Sequence, residues 1–490
     1  MLVKFYVENF LSFKDEVCLD MVASAKLKDH QNHVEEIEEG KKISVLRSAV
    51  IYGANGAGKS NLVKAIAFAR DLILRGTQAD EKIRVIPFKI DEKSEKEPCK
   101  FEFVFKFQGK IYTYGAVLSA DRVIEEWLYF IAKTREAKLF ERETHGNGNV
   151  TVKPGTSLAT NNQQEKDFIQ LLARGTRPNQ LFLSKAIENN VALLKPVIEW
   201  FKNVLTVITP NASANIIEGL KQDELFREQM GSFLKIADTG VETVEVEETR
   251  IDIQNFKELK GFFQPQWDKL SSKNREEITS EINRISQEEN MLLNENSSNN
   301  EKKDRTKTTA FLTKIVINHK AKNGRLIPFE AEEESDGTRR LMDLMPVLYL
   351  GDKMEKVFVI DELERSLHPR ISRFFVEKYL NTDFKYSGQI IFTTHETHLM
   401  DLELLRKDEI VFIEKNKENS SDIYSLVEFK PRNDLKVEKY YMQGRYGGIP
   451  FIGDFSKLGI GEKAAGVNDK SEKKPVVNKK RPASKKLVKK

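Results

Sequence analysis

The sequence predicts an α/β fold with a β-rich N-terminal lobe and a mainly helical insertion, and three observations predict it. The apolar segment Ala49-Val50-Ile51-Tyr52 runs into Gly53-Ala54-Asn55-Gly56-Ala57-Gly58-Lys59-Ser60. Asn61-Leu62-Val63-Lys64-Ala65-Ile66 follows with helical apolar spacing, so this stretch reads as strand, glycine-rich loop and helix. Val357-Phe358-Val359-Ile360 is a second buried-type strand and ends in Asp361-Glu362. Gln389-Ile390-Ile391-Phe392-Thr393-Thr394 is a third, and it ends in His395.

The remaining elements follow in order. Residues 2–10 partly alternate apolar and polar side chains, as an opening strand does, and residues 26–42 are charged and loop-like. Phe101-Glu102-Phe103-Val104-Phe105-Lys106-Phe107 alternates up to Gln108-Gly109, and Ile111-Tyr112-Thr113-Tyr114 resumes, which predicts a hairpin turning at Gly109. Residues 123–131 and 150–152 extend this β-rich region. From about Asn161 the pattern turns helical: Phe168, Ile169, Leu171 and Leu172 fit one apolar face, and Val197, Ile198, Phe201 and Val204 another. Ile278, Ile282, Ile285 and Leu292 keep a heptad-like spacing that Glu289 interrupts, predicting a short helical hairpin and not a long coiled-coil arm. Residues 294–307 are polar and read as a flexible loop. Lys314-Ile315-Val316-Ile317-Asn318 reads as a strand with a turn at Asn323-Gly324, and Glu334-Ser335-Asp336-Gly337-Thr338-Arg339-Arg340 opens an apolar helix reaching Leu350. The expected organisation is 1–160 (first part of the head, with the glycine-rich loop and β-rich lobe), 161–310 (mainly helical insertion), 311–460 (second part of the head) and 461–490 (disordered basic tail). No internal repeat is visible.

Composition narrows the functional classes. Of the 490 residues, 31% are charged and 40% hydrophobic, which suits a globular chain with a sizeable core. Cys18 and Cys99 are far apart and fit neither a disulfide nor a zinc framework, pointing to a reducing compartment. No apolar stretch is long enough to span a bilayer and the start is unlike a signal peptide, so a cytoplasmic protein without membrane attachment is expected. The net charge of +4 is misleading: residues 473–490 carry nine Lys and Arg and no acid, so the rest of the chain is mildly acidic. Such a tail reads as a solvated end, or as an electrostatic contact with nucleic acid or an acidic partner.

The chemistry lies at the ends of the three strands. Gly53–Ser60 is G-x-x-x-x-G-K-S, a phosphate-binding loop whose glycines let backbone N–H groups and the helix N-terminus face an anion. Gly53, Asn55, Gly56, Gly58, Lys59, Ser60 and Asn61 are therefore the candidates for binding ATP. Lys59 would reach the β- and γ-phosphates, and Ser60 would ligate Mg²⁺. The strand ending in Asp361-Glu362 fits the Walker B pattern, with Asp361 holding Mg²⁺ directly or through water and Glu362 polarising the attacking water. His395 suits a switch histidine at the γ-phosphate, whereas His398 reads as an ordinary helix residue. Ser335 and Gly337, at a helix N-terminus shortly before Walker B, can bind a second phosphate, although Ser-Asp-Gly is also an ordinary turn and cap.

This set resembles the ABC-type ATPases of the SMC/RecF class. It resembles more closely the stand-alone ATPases of bacterial phage-defence and restriction-associated loci, related to the ATPase half of OLD nucleases. The likeness rests on Glu8-Asn9-Phe10-Leu11-Ser12-Phe13, the phosphate loop, residues 334–340, Ile360-Asp361-Glu362-Leu363-Glu364-Arg365-Ser366-Leu367-His368-Pro369 and Thr393-Thr394-His395-Glu396. It implies an ABC-type P-loop ATPase head and a head-to-head homodimer, in which ATP at Lys59 of one copy is closed over by Ser335 and Gly337 of the other. Residues 364–369 would then take the D-loop position. Two features depart from the pattern: the signature lacks a double glycine, and no Q-loop glutamine can be assigned, so hydrolysis is expected to be slow or partner-gated.

Three roles are open to such an ATPase. One is the sensor subunit of an anti-phage system acting with a separate effector, such as a nuclease or toxin. Another is a RecF/SMC-like DNA-repair ATPase, and a third is a self-contained OLD-type nuclease. A nuclease would need a metal-binding acidic domain after His395, yet few residues follow and Asp401-Leu402-Glu403 reads as an exposed helix start. A DNA clamp would want a basic insertion, whereas residues 276–300 are mostly acidic. The segment Gln443-Gly444-Arg445-Tyr446-Gly447-Gly448-Ile449-Pro450-Phe451 could stack on bases, but docking on the core is favoured. The expected role is the defence subunit, by analogy with relatives of this layout.

Overall fold

The computed structural model describes residues 1–449 apart from 39–42, 133–134, 156–162, 211–215, 253–308, 352, 384, 386–387 and 433–435. The expected helical hairpin around 278–292, the loop 294–307 and the tail 461–490 lie outside the described residues.

β1 (Leu2–Glu8) and β2 (Val17–Asp20) open a β-rich lobe, and β3 (Val34–Glu38) pairs with β4 (Ile43–Leu46) as a separate ribbon. After β5 (Ser48–Tyr52) and α1 (Lys59–Arg75), the lobe resumes with β6 (Cys99–Phe107), β7 (Lys110–Leu118), β8 (Val123–Ala132), β9 (Arg135–Thr144) and β10 (Val150–Pro154). The seven lobe strands form one antiparallel sheet in the order β10-β9-β8-β7-β6-β1-β2. The β6–β7 hairpin turns through Gln108 and Gly109, both at positive φ, as its two-residue loop requires.

Segment 161–310 is mainly helical where described. It holds α2 (Gln163–Arg174), α3 (Phe182–Glu188), α4 (Lys195–Glu199), α5 (Ile217–Gln222) and α6 (Glu224–Ile236). It also supplies β11 (Leu205–Ile208), too short to stand out in the sequence, which becomes an edge strand of the central sheet. On α2 the buried side chains are Ile169, Leu172 and Ala173, whereas Phe168 and Leu171 are exposed, so the apolar stripe is narrower than the composition suggested. β12 (Val241–Asp252), β13 (Thr309–Lys320) and β14 (Leu326–Glu330) form a three-stranded antiparallel sheet, with the β13–β14 turn at Gly324.

The second half of the head follows with α7 (Asp336–Leu350), β15 (Lys356–Ile360), α8 (Pro369–Asn381), β16 (Gly388–Thr393), β17 (Ile410–Lys415), β18 (Ser421–Ser425) and α9 (Val437–Met442). The central sheet has the order β11-β15-β16-β5-β17-β18, parallel except for β18. Parallel strands are buried on both faces, which is why these read as unbroken apolar runs. Their side chains alternate between two cores. Ala49, Ile51, Val357, Val359 and Ile391 join α1 and the β-rich lobe, while Val50, Tyr52, Phe358, Ile360 and Phe392 join α6, α7 and α8. Trp200 is fully buried and stacks on Phe105 at 4.0 Å between ring centroids, tying the helical segment to the lobe.

One smaller expectation changed. Residues 401–405 form a turn and not a helix start: Asp401 Oδ1 accepts the Glu403 N–H and Oδ2 accepts from Arg373. The glycine- and aromatic-rich stretch packs on the core through residue 449. Tyr446 is buried against Phe412, and its carbonyl accepts from the Tyr424 hydroxyl.

Candidate active site

The phosphate loop leaves β5, a strand flanked on both sides by β16 and β17, and turns directly into α1. Gly58 sits at φ 119°, and a Cβ there would lie 2.4 Å from Ser421 Oγ and 2.8 Å from Ser12 Oγ. Only glycine permits that backbone angle together with such close hydroxyls. Ser421 Oγ donates to Ala57 O at 2.5 Å, so the Ser12 segment of the lobe and β18 brace the loop from behind.

Lys59 is 5% exposed, and its ammonium donates to Gly53 O at 2.7 Å and Ala54 O at 3.3 Å. It lies 3.5 Å from His395 Nδ1. Burial pulls its pKa down to about 8, against the opposing pull of Glu364, Asp361 and Glu362. A cation held this way, with two loop carbonyls and a neutral ring nitrogen as its partners among the described residues, is poised for an anion. His395 follows β16 with part of its side chain open to solvent, and partial desolvation of its ring, then the neighbouring Lys59 charge, push its pKa below the ordinary histidine value. Its imidazole is therefore neutral near pH 7.

The Walker B turn is fixed from several directions. Asp361 Oδ1 accepts from Ser60 Oγ at 3.1 Å and from Thr393 Oγ1 at 2.7 Å, and Thr393 Oγ1 in turn accepts the Glu362 N–H at 2.8 Å. Arg340, buried on α7, donates through Nη2 to the carbonyls of Asp361 (2.9 Å) and Glu362 (2.7 Å). Glu362 itself adopts φ 50°, a costly backbone state for a non-glycine residue that these contacts hold in place. Ser60 and Asp361 present hard oxygen donors side by side, the donor type and small number that suit Mg²⁺ completed by phosphate oxygens.

Gly53, Asn55, Gly56, Gly58, Lys59, Ser60 and Asn61 thus share one loop and helix start, with Asp361, Glu362 and His395 on neighbouring strand ends. Ser335 and Gly337 stand apart from that loop. Ser335 is the N-cap of α7, its Oγ accepting the Thr338 N–H at 3.1 Å, and a Cβ on Gly337 would lie 2.8 Å from Ser366 O. A cavity of about 250 Å³ beside them mixes both charges, with Asp336 and Asp343 lining it together with Arg339, Arg340 and Arg365. His398 lies on a short 3₁₀ turn with its ring against Pro369 O at 3.1 Å, a structural position.

Sequence reasoning assigned no role to Thr393 or Arg340. Each is a polar residue inside an apolar element, Thr393 at a strand end and Arg340 in a helix, and that was the available signal. β11 runs beside β15, with Ile208 O accepting the Asp361 N–H at 2.9 Å. The chain after β11 is therefore the stretch next to Walker B where a Q-loop would be sought, and residues 211–215 there lie outside the described residues.

A glycine-rich loop on a central parallel strand, a buried lysine and an adjacent strand ending in a bridged Asp-Glu pair define a P-loop ATPase. A family model described as "AAA domain, putative AbiEii toxin, Type IV TA system" matches residues 48–401, and the chain belongs to that family. Two solved structures are similar to it. One is the SMC head bound to the C-winged helix domain of ScpA, with 10% identity, a TM-score of 0.40, and coverage of 86% of this chain and 97% of that one. The other is the SMC head domain from Thermotoga maritima, with 14% identity, a TM-score of 0.34, and coverage of 86% and 98% respectively. No curated protein matches the chain significantly. Among the described residues no helix is long and apolar enough to cross a membrane.

Proposed function

We propose that the chain is an ATP-driven switch that closes head to head with a second copy, and that it serves as the sensor subunit of an anti-phage system with a separate nuclease or toxin as effector. The carrying observation is the Asp361 carboxylate shared by Ser60 and Thr393, which puts the Walker B turn directly against the start of the phosphate-loop helix. In this reading, backbone amides of the loop and Lys59 hold the phosphates. Ser60 and Asp361 hold Mg²⁺, which when bound neutralises charge on the phosphate oxygens. Glu362 accepts a proton from the attacking water, and the neutral His395 ring donates to the γ-phosphate. Ser335 and Gly337 close over the partner's nucleotide with the α7 N-terminus. The defence role draws on the family's description as an AAA domain and putative AbiEii toxin of a type IV TA system. A cytoplasmic setting follows from that role, and any contact with nucleic acid is assigned to the tail.

The test is Glu362→Gln. The variant should bind ATP, lose turnover by about a hundredfold or more, and accumulate a dimer visible by light scattering. Unchanged turnover would remove Glu362 as the base, and a monomer under saturating ATP would remove the closed dimer. For the defence role, cells carrying the chain and its neighbouring gene should resist phage, and Lys59→Ala should abolish that resistance.

A further inference from the structure

We propose that Glu364, the third acid of Asp361-Glu362-Leu363-Glu364, is a positioning residue that fixes His395 relative to the hydrolytic Glu362. Its Oε1 accepts the His395 backbone N–H at 2.6 Å. Among the described residues, His395 has one other polar contact, the 3.5 Å approach of its ring to Lys59 Nζ. Its neighbours are anchored elsewhere: the Thr394 N–H donates to Ile51 O at 3.1 Å and the Glu396 N–H to Thr394 Oγ1 at 3.0 Å. Position 395 itself is thus tied to the Walker B loop and not to its own strand.

The loop that carries Glu364 is well determined. Leu363 N–H donates to Thr393 O at 3.1 Å, Arg365 N–H to Glu362 O at 3.1 Å and Leu367 N–H to Glu364 O at 2.8 Å. Glu362 and Ser366 both sit at positive φ, which makes the turn tight. Two ties therefore join the same pair of loops: Thr393 reaches from β16 to Asp361 and Glu362, and Glu364 reaches back to His395. General base, metal ligand and switch imidazole end up on one frame.

Stability alone does not account for this carboxylate. Its Oε2 is buried with no hydrogen-bond partner among the described residues, a cost that a residue kept for packing would avoid. Its charge is instead directed at the site, where of the three nearby carboxylates it attracts Lys59 most strongly and likewise His395.

The proposal rests on the hydrolytic reading of the site, so one arm of its test is independent of turnover. In the full chain, Glu364→Ala should speed hydrogen exchange of the peptide containing the His395 amide, and Glu364→Gln, which keeps the acceptor oxygen, should restore protection. In steady-state assays Glu364→Ala should lower kcat by about tenfold to a hundredfold with KM within about threefold. Glu364→Gln should recover most of that loss. In a His395→Ala background, adding Glu364→Ala should cost less than about threefold more, because the two act as a unit. Unchanged exchange at His395, fully multiplicative losses in the double variant, or no rescue by glutamine would each overturn the proposal. A wild-type chain without turnover but with the predicted exchange pattern would overturn the hydrolytic reading and leave the tether standing.

Discussion

The depressed pKa of Lys59 makes ATP affinity depend on pH in a calculable way. In the empty site the lysine loses its proton at about 8, against 10.5 for a free side chain, because burial disfavours its charge. Bound phosphates stabilise the ammonium, so the pKa rises when ATP binds. Below pH 8 the lysine is already charged and affinity is flat. Above it, binding must recruit a proton, and Kd climbs by up to tenfold per pH unit until the bound-state pKa is reached. The same shift acts on folding. Between about 8 and 10.5 the unfolded chain binds more protons than the folded one, so stability of the nucleotide-free protein rises with pH there. The limit is about 3 kcal/mol from the 2.5-unit gap. Calorimetric titration of ATP at pH 7, 8 and 9 in two buffers of different ionisation enthalpy reads both affinity and proton uptake. Uptake approaching one proton by pH 9 is expected, and it should vanish in Lys59→Arg, whose guanidinium stays charged. Flat affinity and no uptake up to pH 9.5 would refute the account of Lys59 as a buried, phosphate-seeking cation.

Two further outcomes follow from the packing. Thr393→Val removes the hydroxyl that joins Asp361 to the Glu362 N–H, so kcat should fall by about a hundredfold while ATP still binds in equilibrium titration. Trp200→Ala empties a fully buried site stacked on Phe105 and should cost about 3–5 kcal/mol in denaturant unfolding, with no specific effect on nucleotide affinity beyond the folded fraction.

Much of the catalytic side of the site is legible in the sequence because each of its residues closes an apolar strand or opens a helix. Gly53–Ser60 is read from local order alone, Asp361, Glu362 and His395 from their place after it, and the parallel sheet brings those strand ends together. The supporting contacts are less legible. Glu364, Thr393 and Arg340 act through hydrogen bonds to other loops, from 21 to 32 residues away in sequence, and no periodic pattern reports such pairs. β11 escaped notice for a related reason: four residues carry too little pattern, and only pairing with β15 defines them as a core strand. Phe168 and Leu171 lie on the exposed side of α2, because apolar spacing does not say which side of a helix meets the core.

The composite site is tested most directly by mixing two inactive variants. Lys59→Ala keeps Ser335 and Gly337 but cannot hold ATP. Ser335→Asp keeps the phosphate loop and a capping side chain but sets a negative charge at the exposed α7 start, where the partner's phosphates would lie. Each alone should be nearly inactive. Mixed in equal amounts and allowed to exchange, half the dimers pair one of each and contain one intact site, giving about a quarter of wild-type activity. Activity no higher than that of the separate variants would contradict a site built from two copies of the chain.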